Sequence, residues 1–240
     1  MPVALITGGS KGLGRALAEA LARQGWDLVL DARTAGVLEA AAEEVRKRYG
    51  TRVAAVLGDV TDAAHRAELV AAAGELGGLD LLVSNASMLG AEPLVRLEAQ
   101  PLEGLRRALE TNVVAALGLL QEALPLLRRS ATGAVVTVSS DAAAEPYGMW
   151  GGYGASKAAL DQLAAVLGVE EPGLRVWAVD PGDMATDLYA AAVPDDEEPR
   201  PSPASVVPAF LRLVRERPAS GRFAAPALLE EPVAADGGAR

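Results

Sequence analysis

Tyr153 and Lys157 are the first side chains in this sequence that could do chemistry together. They lie four residues apart in the run YGASKAAL (153–160), whose composition is that of a helix. Residues i and i+4 share one face of a helix, so the phenol and the ammonium can meet. Two interpretations are open at this point: a surface pair of little consequence, or a phenol whose acidity is tuned by an ammonium.

A positive charge beside the phenol would make it a usable proton donor or acceptor. A free tyrosine titrates near pH 10, and acid–base work at neutral pH requires a pKa lower by roughly 2 to 3, or about 3–4 kcal/mol. An ammonium about 5 Å away, at an effective dielectric constant of about 20, supplies roughly 3 kcal/mol. We therefore expect Lys157 to lower the pKa of Tyr153.

The elements that must position this pair are indicated by an alternation of short apolar runs with longer segments rich in Ala, Leu, Arg and Glu. The predicted strands span 3–7, 27–31, 52–57, 79–85, 133–140 and 174–180, and the predicted helices lie near 13–24, 37–49, 62–76, 101–128, 153–168 and 205–217. Continuously apolar strands are typical of a parallel sheet that is covered on both faces. The prediction is an α/β fold, with a doubly wound, Rossmann-type, mostly parallel sheet of about seven strands and helices on both faces in three layers.

No repeat or linker divides the sequence, so residues 1–240 are predicted to form a single domain. The segment 190–205 is rich in proline and acid and poor in apolar residues. It is interpreted either as a solvated surface loop or as a mobile loop beside the substrate site. The tail, residues 230–240, is predicted to be frayed.

Composition disfavours several classes of function. The chain has no cysteine and a single histidine, His65, so no metal centre is expected. A formal charge of −10 at pH 7 disfavours nucleic acid and anionic membranes as partners. No apolar run approaches about 18 residues and no signal peptide is evident, so the expected location is the cytoplasm.

The turn TGGSKGLG (7–14), between the first predicted strand and helix, has the composition of a dinucleotide-binding loop. Its glycines Gly8, Gly12 and Gly14 permit a tight turn and close approach of the backbone to a pyrophosphate at a helix N-terminus. The same stretch matches the Gly-x-Ser-x-Gly elbow of serine hydrolases, centred on Ser10. A hydrolase of that type needs a histidine base late in the chain, whereas His65 comes early and is predicted to lie on a solvated helix face.

The stretch LVLDART, at the end of the second strand, bears on the choice of dinucleotide. An acid there accepts hydrogen bonds from a ribose 2′-hydroxyl, as in NAD, whereas a basic group accommodates the 2′-phosphate of NADP. Asp31 argues for NAD and Arg33 for NADP, and the alternation of a strand predicts that they share a face. Because Lys11 could add a second cation near the same phosphate, NADP(H) is preferred and NAD(H) is the alternative.

Polar and small residues also end the later strands. Asp59, in GDVTD, could accept from an adenine amino group, while Thr61 or Asp62 caps the next helix. Asn85, in VSNAS, could tie neighbouring strands. Ser140 ends the fifth strand, at the edge where open α/β sheets bind ligands.

Two further features lie inside or beside predicted helices. Asn112 competes for backbone hydrogen bonds, so it predicts a kink in the helix around it. In DPGDMAT (180–186), Pro181 and Gly182 indicate a turn, and Thr186 is either a hydroxyl that faces the cofactor or a helix cap.

Together these residues resemble the short-chain dehydrogenases/reductases. The motifs, in that family's order, are TGGSKGLG, the Asp59-Val60 pair, SNA (84–86), Asn112, Ser140, YGASK and PGDMAT, and they span about residues 3–187. The resemblance implies an NAD(P)-dependent oxidoreductase that reduces a small ketone or aldehyde to an alcohol, or the reverse. A catalytically silent NAD(P)-binding sensor or scaffold is the alternative, and a broken set of catalytic residues would mark it.

The resemblance also implies a role for each matching residue. Tyr153 is the acid or base, and Ser140 hydrogen-bonds the substrate oxygen. Lys157 contacts the nicotinamide ribose and lowers the pKa of Tyr153, and Asn112 holds a water that links Lys157 to solvent. The implied cofactor-binding residues are Gly8, Ser10, Lys11, Gly12, Leu13, Gly14, Arg33, Asp59, Val60, Asn85, Ala86, Tyr153, Lys157, Pro181, Gly182 and Thr186.

The sequence departs from the family pattern at three places. The end of the second strand carries Asp31 beside Arg33, which leaves the cofactor preference open. Ser87 replaces the glycine that usually follows Asn-Ala, which would narrow the site, and the chain after residue 187 lacks a glycine-rich closing strand. Family members often assemble through the helices at 101–128 and 153–168, so a homodimer or homotetramer is implied. An apolar substrate wall is suggested by Tyr147, Met149 and Trp150.

Overall fold

Seven parallel strands form one sheet in the computed structural model, which describes residues 1–230. The strands are β1 Val3–Ile6, β2 Asp27–Ala32, β3 Val53–Leu57, β4 Leu81–Ser84, β5 Ala134–Val138, β6 Arg175–Asp180 and β7 Gly221–Ala224. Their order across the sheet is β3-β2-β1-β4-β5-β6-β7. The chain reverses its winding direction between β1 and β4, and in such sheets the carboxyl ends of the strands open a crevice at that point.

Helices cover both faces of this sheet. They are α1 Gly12–Arg23, α2 Ala35–Tyr49, α3 Ala63–Leu76, α4 Leu102–Leu109, α5 Ala116–Leu127, α6 Gly151–Glu170, α7 Asp187–Ala192, α8 Val207–Glu216 and α9 Ala225–Glu230. Alternate residues of β1 show the two layers, since Ala4 and Ile6 pack with α1, α2 and α8, whereas Val3 and Leu5 pack with α3, α5 and α6. Because both faces are buried, the strands are apolar throughout, and the predicted three-layer α/β fold is confirmed.

The predicted helix over 101–128 is the main difference in secondary structure. It is divided into α4 and α5 by a wide turn of π-helix, Glu110–Ala115, with Asn112 inside it. The predicted kink at Asn112 is therefore confirmed, and such π-turns are frequent at functional sites. The predicted strands over 79–85 and 133–140 end earlier, at Ser84 and Val138, because their last residues leave the sheet.

The chain beyond the sixth strand was predicted least well. The stretch SGRFAAPALLEEP was expected to lack a glycine-rich closing strand, yet Gly221–Ala224 pairs with β6 as β7. The unpredicted helix α7 occupies the start of the segment 190–205, and a short 3₁₀ turn, Pro203–Ser205, ends it. The predicted frayed tail, 230–240, lies outside the described residues apart from Glu230.

Residues 1–230 lack two features that would bear on function. No helix there is both long enough and apolar enough to cross a membrane. No group of three or more His, Cys, Asp or Glu side chains in the same range could hold a metal ion.

Candidate active site

A cleft of about 830 Å³ opens at the carboxyl ends of the strands. It lies within the usual size range of ligand sites in proteins. All but two of the predicted site residues line it. The residues that do so are Gly8, Ser10, Lys11, Gly12, Leu13, Arg33, Asp59, Val60, Asn85, Ala86, Ser140, Tyr153, Lys157, Pro181, Gly182 and Thr186. The two exceptions are Gly14 and Asn112, which lie behind the cleft wall.

The glycine turn presents the N-terminus of α1 to the cleft. Gly8 and Gly12 have left-handed backbone conformations, with φ of 64° and 53°, which favour glycine. A Cβ at Gly14 would overlap the carbonyl oxygen of Gly8, so this glycine permits close packing rather than contact with a ligand. Lys11, the N-cap of α1, makes no side-chain capping bond. The first N–H groups of α1 therefore have no intrahelical acceptor, and the turn fits the pyrophosphate of a dinucleotide.

Asp31 lines the cleft, yet its side chain is almost fully buried and both of its carboxylate oxygens face groups of the chain. Its Oδ1 accepts the N–H of Gly8 at 2.6 Å, and its Oδ2 lies 3.2 Å from Nε2 of His65. The side chains of Asp31 and His65 are 3% and 4% exposed. The prediction that His65 lies on a solvated helix face is therefore wrong. Its ring faces Asp31 on β2, a residue 34 positions earlier in the chain, and helical spacing could not show that contact.

The two cations predicted to share a phosphate lie apart. Arg33 is exposed, with Nη1 4.0 Å from Oδ2 of Asp59. Lys11 forms an exposed ion pair with Asp187 at the start of α7, with Nζ 2.9 Å from Oδ2. Arg33 follows β2, whereas Asp187 follows β6, and these two strands lie on opposite sides of β1. Lys11 is therefore turned away from Arg33 in this conformation. Exposed ion pairs are weak, so a bound anion can compete for either cation.

Asp59 and Asp62 follow β3 and accept hydrogen bonds from different residues. Asp59 accepts the N–H of Thr61 at 2.9 Å and its hydroxyl at 2.8 Å. Partial burial raises the pKa of Asp59, but the two bonds from Thr61 and the charges of Arg33 and His65 together outweigh burial, and the net shift is downward. Asp62 caps α3 by accepting the N–H of Ala64 at 2.9 Å, as predicted.

Asn85 ties β4 to β1, which confirms its predicted role. Its Nδ2 donates to the carbonyl oxygen of Thr7 at 2.8 Å, and its N–H donates to the Thr7 hydroxyl at 2.9 Å. The N–H of Ala86 donates to the same hydroxyl at 3.0 Å. This wall of the cleft is therefore fixed to the strand that carries the glycine turn.

Asn112 holds the next part of the same wall. Its Oδ1 accepts the N–H of Met88 at 2.8 Å, and its Nδ2 donates to the Met88 carbonyl at 2.9 Å and to the Ser156 hydroxyl at 2.8 Å. The π-turn supplies the extra residue that aims this side chain inward from the helix. Asn112 thus connects the wall at Met88 with α6, the helix that carries Tyr153 and Lys157.

Tyr153 and Lys157 face each other on α6, as their spacing predicts. Lys157 Nζ lies 5.5 Å from the centroid of the Tyr153 ring and donates to the Val138 carbonyl at 2.7 Å. Trp150 packs edge-on against the same ring, at 5.7 Å between centroids. Tyr153 and Lys157 are 6% and 1% exposed, so the phenol and the ammonium both sit in a largely dry part of the cleft wall.

Burial dominates the acidity of both groups. Burial raises the pKa of Tyr153 to about 12, opposed by the Ser87 hydroxyl and reinforced by the charges of Asp141 and Asp180. Burial lowers the pKa of Lys157 to about 8, opposed by the Asp161 carboxylate. The expected lowering of the Tyr153 pKa by Lys157 is therefore not met in the chain alone. At neutral pH the phenol keeps its proton, and most of Lys157 is charged.

Ser140 and Ser87 carry hydroxyls beside this pair. Ser140 Oγ donates to Oδ1 of Asp141 at 3.0 Å and accepts the N–H of Ala142 at 3.2 Å, so it caps a 3₁₀ turn, Asp141–Ala143. It must leave Asp141 to donate to a substrate. Ser87 Oγ is buried and forms no hydrogen bond of good geometry within the described residues. A glycine there would supply no hydroxyl.

The sequence did not predict a hydrogen-bond network, the brace, that Asp161 and Arg222 form behind Tyr153 and Lys157. Asp161 Oδ2 accepts from Ser139 Oγ at 2.8 Å and from Arg222 Nε at 3.0 Å. Arg222 also donates to the Ser140 carbonyl at 2.9 Å and lies 3.7 Å from Asp180 Oδ2. The spacing of four residues from Lys157 could have indicated Asp161. Arg222 arrives on β7, and no local pattern marks it.

The outer rim of the cleft is formed by α7 and the segment that follows it. Thr186 caps α7 by accepting the N–H of Tyr189 at 3.2 Å, which confirms the helix-cap interpretation. Tyr189 donates its hydroxyl to Asp196 at 2.7 Å, and the Arg200 guanidinium lies 5.1 Å from the centroid of its ring. These contacts join the segment 190–205 to the rim.

The predicted apolar wall is only partly present. Trp150 lines the cleft together with Ser87 and Met88. Tyr147 and Met149 do not line it and are about half exposed. The turn that precedes α6 directs these two side chains outward, with Met149 in a left-handed backbone conformation.

Comparisons with known proteins show the relatives of this chain. A family model described as short chain dehydrogenase matches residues 2–197. An uncharacterized oxidoreductase of Saccharomyces cerevisiae is 35% identical over 189 residues, which are 78% of this chain and 72% of the yeast protein.

Solved structures of similar fold include two with a bound dinucleotide. A short chain dehydrogenase from Shigella flexneri complexed with NADP has a TM-score of 0.88 and 28% identity, covering 94% of this chain and 97% of its own. A short chain dehydrogenase from Escherichia coli complexed with NADPH has a TM-score of 0.87 and 28% identity, covering 93% and 96%. With the family model, these likenesses establish that the chain belongs to the short-chain dehydrogenase/reductase family of oxidoreductases.

Proposed function

We propose that this oxidoreductase reduces a ketone or aldehyde to an alcohol with NADPH, or catalyses the reverse reaction, with Tyr153 as the acid or base. The observation that carries the proposal is the position of Tyr153 in the cleft wall, with the centroid of its ring 5.5 Å from Nζ of the buried Lys157. A phenol that keeps its proton at neutral pH is the form required to protonate a carbonyl oxygen.

NADP(H) is proposed as the cofactor because of the charges near β2. Arg33 is exposed at the cleft edge, where a 2′-phosphate can compete with its 4.0 Å ion pair to Asp59, whereas both carboxylate oxygens of Asp31 already face N–H donors. Two similar solved structures contain NADP or NADPH. The N-terminus of α1 would hold the pyrophosphate, and the bound nicotinamide would supply or accept the hydride.

The chain's own residues supply the proton chemistry. In reduction, Tyr153 donates its hydroxyl proton to the carbonyl oxygen as the carbon of that carbonyl receives hydride. Lys157 would stabilise the resulting phenolate, because opposite charges attract strongly in a buried site. Ser140 would donate a second hydrogen bond to the same oxygen after leaving Asp141.

We propose an uncharged carbonyl compound or alcohol as the substrate. Trp150 gives the cleft an apolar wall. Near its rim, three acids share the single guanidinium of Arg200, which leaves a net negative charge there; they are Asp183, Asp196 and Glu198. The segment 190–205 is proposed to move when substrate enters, since the backbone bonds that hold it within the described residues are few, from Ala185 to Pro201 and from Leu94 to Ala192. Anionic substrates should therefore react more slowly than neutral ones of similar size.

A homodimer or homotetramer is proposed through the helices predicted for assembly. Leu102 on α4 and Val169 on α6 are exposed apolar residues, and Val114 in the π-turn is half exposed. Light scattering coupled to size exclusion measures the mass directly. A monomer at micromolar concentration would contradict this part of the proposal.

Two measurements test the function. Thermal unfolding is followed with NADPH and with NADH, because a ligand that binds the folded chain stabilises it by mass action. Loss of NADPH absorbance is then followed with a panel of neutral ketones and aldehydes. A larger thermal shift with NADPH and turnover with a panel member are expected. Binding without turnover across the panel would favour a silent sensor, and no shift with either cofactor would contradict the proposal.

A further inference from the structure

Asp31 holds the start of the glycine turn with its main chain and its side chain. Its carbonyl oxygen accepts the N–H of Gly9 at 3.0 Å, and its Oδ1 accepts the N–H of Gly8 at 2.6 Å. Buried carboxylates are costly unless donors surround them. Asp31 therefore contributes both to the shape of the turn and to the charge beneath it.

His65 supplies the remaining donor to this carboxylate. Nε2 must carry the proton in the 3.2 Å contact with Oδ2 of Asp31, because an ionised carboxylate only accepts. Nδ1 is buried and has no hydrogen-bond partner within residues 1–230. A Cβ at Gly58 would overlap the ring, so this glycine at the end of β3 makes room for the imidazole. A buried histidine with one unpaired nitrogen is costly, and its single bond is to Asp31.

This contact lies beneath the part of the cleft that would distinguish NADP from NAD. Arg33, two residues after Asp31, is exposed at the cleft edge, and Asp59 lies 4.0 Å from it. The charged groups around the imidazole are thus Asp31 on β2, Asp59 after β3 and Arg33 after β2. An Asp31 carboxylate turned into the cleft would accept a hydrogen bond from a ribose 2′-hydroxyl and would repel a 2′-phosphate.

We propose that His65 is a specificity-determining positioning residue, which keeps Asp31 bound to the glycine turn and away from the ribose, and so favours NADP(H) over NAD(H). The inference rests on the proposed use of NADP(H). Without the Nε2 donor, the carboxylate loses one of its two partners, and rotation towards the cleft would restore a partner in water or in a ribose hydroxyl.

The test uses steady-state kinetics with NADPH and NADH for two substitutions. His65→Leu keeps an apolar group in the space but removes the donor, whereas His65→Gln keeps an N–H that can reach Asp31. For His65→Leu we expect the ratio of kcat/KM with NADPH to that with NADH to fall about tenfold, as expected for a lost bond to a charged group. The loss should lie in KM, with kcat within about twofold, and His65→Gln should restore most of the ratio.

The Asp31→Asn background separates this role from a general effect on folding. There the charge under the ribose is absent, so His65→Leu should change the cofactor ratio by less than about twofold. An unchanged ratio in His65→Leu alone, or an equal fall in both backgrounds, would overturn the inference. If His65→Leu does not fold, His65→Met, which also lacks an N–H donor, is compared in the wild-type and Asp31→Asn backgrounds, and an unchanged ratio in the wild-type background would overturn the inference.

The wild-type measurement keeps this inference distinct from the proposed function. A wild-type chain that binds neither dinucleotide contradicts the proposed function itself. A wild-type chain that prefers NADPH, with variants that keep the same preference, contradicts only the role of His65.

Discussion

The two ends of the cleft, the β2 end at Asp31 and the α6 end at Lys157, differ in how a buried charge is paired. At the β2 end, the carboxylate of Asp31 meets two N–H donors, from Gly8 and His65. At the α6 end, the ammonium of Lys157 bonds to a neutral carbonyl, and burial lowers its pKa to about 8. The buried charge beside β2 is thus met by donors of the chain at both of its oxygens, whereas the buried ammonium beside α6 is bonded to an uncharged oxygen.

This difference separates binding from chemistry. A site that only holds a ligand gains from groups that are already paired and fixed in place. A site that moves protons needs groups whose pKa values are displaced, and burial without full compensation displaces them. Burial displaces the pKa values of Tyr153 and Lys157 in opposite directions because it disfavours the charged form of each, and a phenolate at Tyr153 would form an ion pair with the Lys157 ammonium.

The strongest test of this contrast removes the proton from the α6 end. Tyr153→Phe should lower kcat by about 10³-fold, because general acid–base catalysis contributes roughly 10²–10⁴-fold. The thermal shift with NADPH should remain, since the β2 end is untouched. Tyr49→Phe is the matched control, because it removes a buried phenolic hydroxyl outside the cleft. Turnover of Tyr153→Phe within tenfold of wild type would rule out the proton role.

Lys157→Met tests whether the reactive end costs stability. The pKa of Lys157 falls from an ordinary 10.5 to about 8, so its charged form costs about 3 kcal/mol at pH 7. Methionine fills a similar volume without charge, so the free energy of unfolding should rise by a few kcal/mol while turnover is lost. Lys47→Met, at an exposed lysine, should change the free energy of unfolding by less than about 0.5 kcal/mol.

The same substitution has a signature in pH. Between about pH 8 and 10, unfolded chains bind a proton at Lys157 that the folded chain has released, so wild-type stability rises with pH in this range. Lys157→Met should lack that rise in urea unfolding measured across the range. An identical pH slope in wild type and variant would contradict the assignment of an uncompensated ammonium.

Local patterns in the sequence predicted most of the sheet and the Tyr153–Lys157 pair. Strands buried on both faces are apolar throughout, and the spacing of four residues on a helix is a local property. The glycine turn was likewise predictable, because Gly8 and Gly12 adopt conformations that favour glycine.

Contacts between distant parts of the chain were not predictable in this way. His65 was placed in solvent because its helix shows no sign of the acid on β2 that it meets. Arg222 reaches Asp161 only because β7 lies beside β6. The acidity of Tyr153 was misjudged for a related reason, since the depth of burial, which raises its pKa, is a property of the folded chain.

A smaller effect is expected at the β2 end, where Arg33 is exposed. Arg33→Ser should raise KM for NADPH about tenfold and leave KM for NADH nearly unchanged, because only NADPH carries the 2′-phosphate. Arg23→Ser is the control, since it removes an exposed positive charge at the far end of α1, outside the cleft. Equal changes for both cofactors would indicate that Arg33 does not face the 2′-phosphate.

The smallest expected effect concerns Asp161, whose carboxylate partly offsets the cost of burying the Lys157 ammonium. Asp161 raises the pKa of Lys157, so Asp161→Asn should lower it further, and activity should begin to fall at a lower pH. An amide oxygen can still accept from Ser139 and Arg222, so the brace keeps its geometry while the charge is lost. The change in kcat at neutral pH should stay below about tenfold, because a single charge at this distance acts through one pKa.

Glu170→Gln provides the matched control, because Glu170 is an exposed acid at the end of the same helix. Its pH profile should coincide with that of wild type. If Asp161→Asn also coincides with wild type, then the charge of Lys157 does not limit the reaction, and the alkaline limb belongs to another group. If the alkaline fall in activity instead begins at a lower pH and the ratio of kcat/KM with NADPH to that with NADH is unchanged, the pKa of Lys157 sets the upper limit of the working pH range. The paired groups Asp31 and His65, beside β2, do not contribute to that limit.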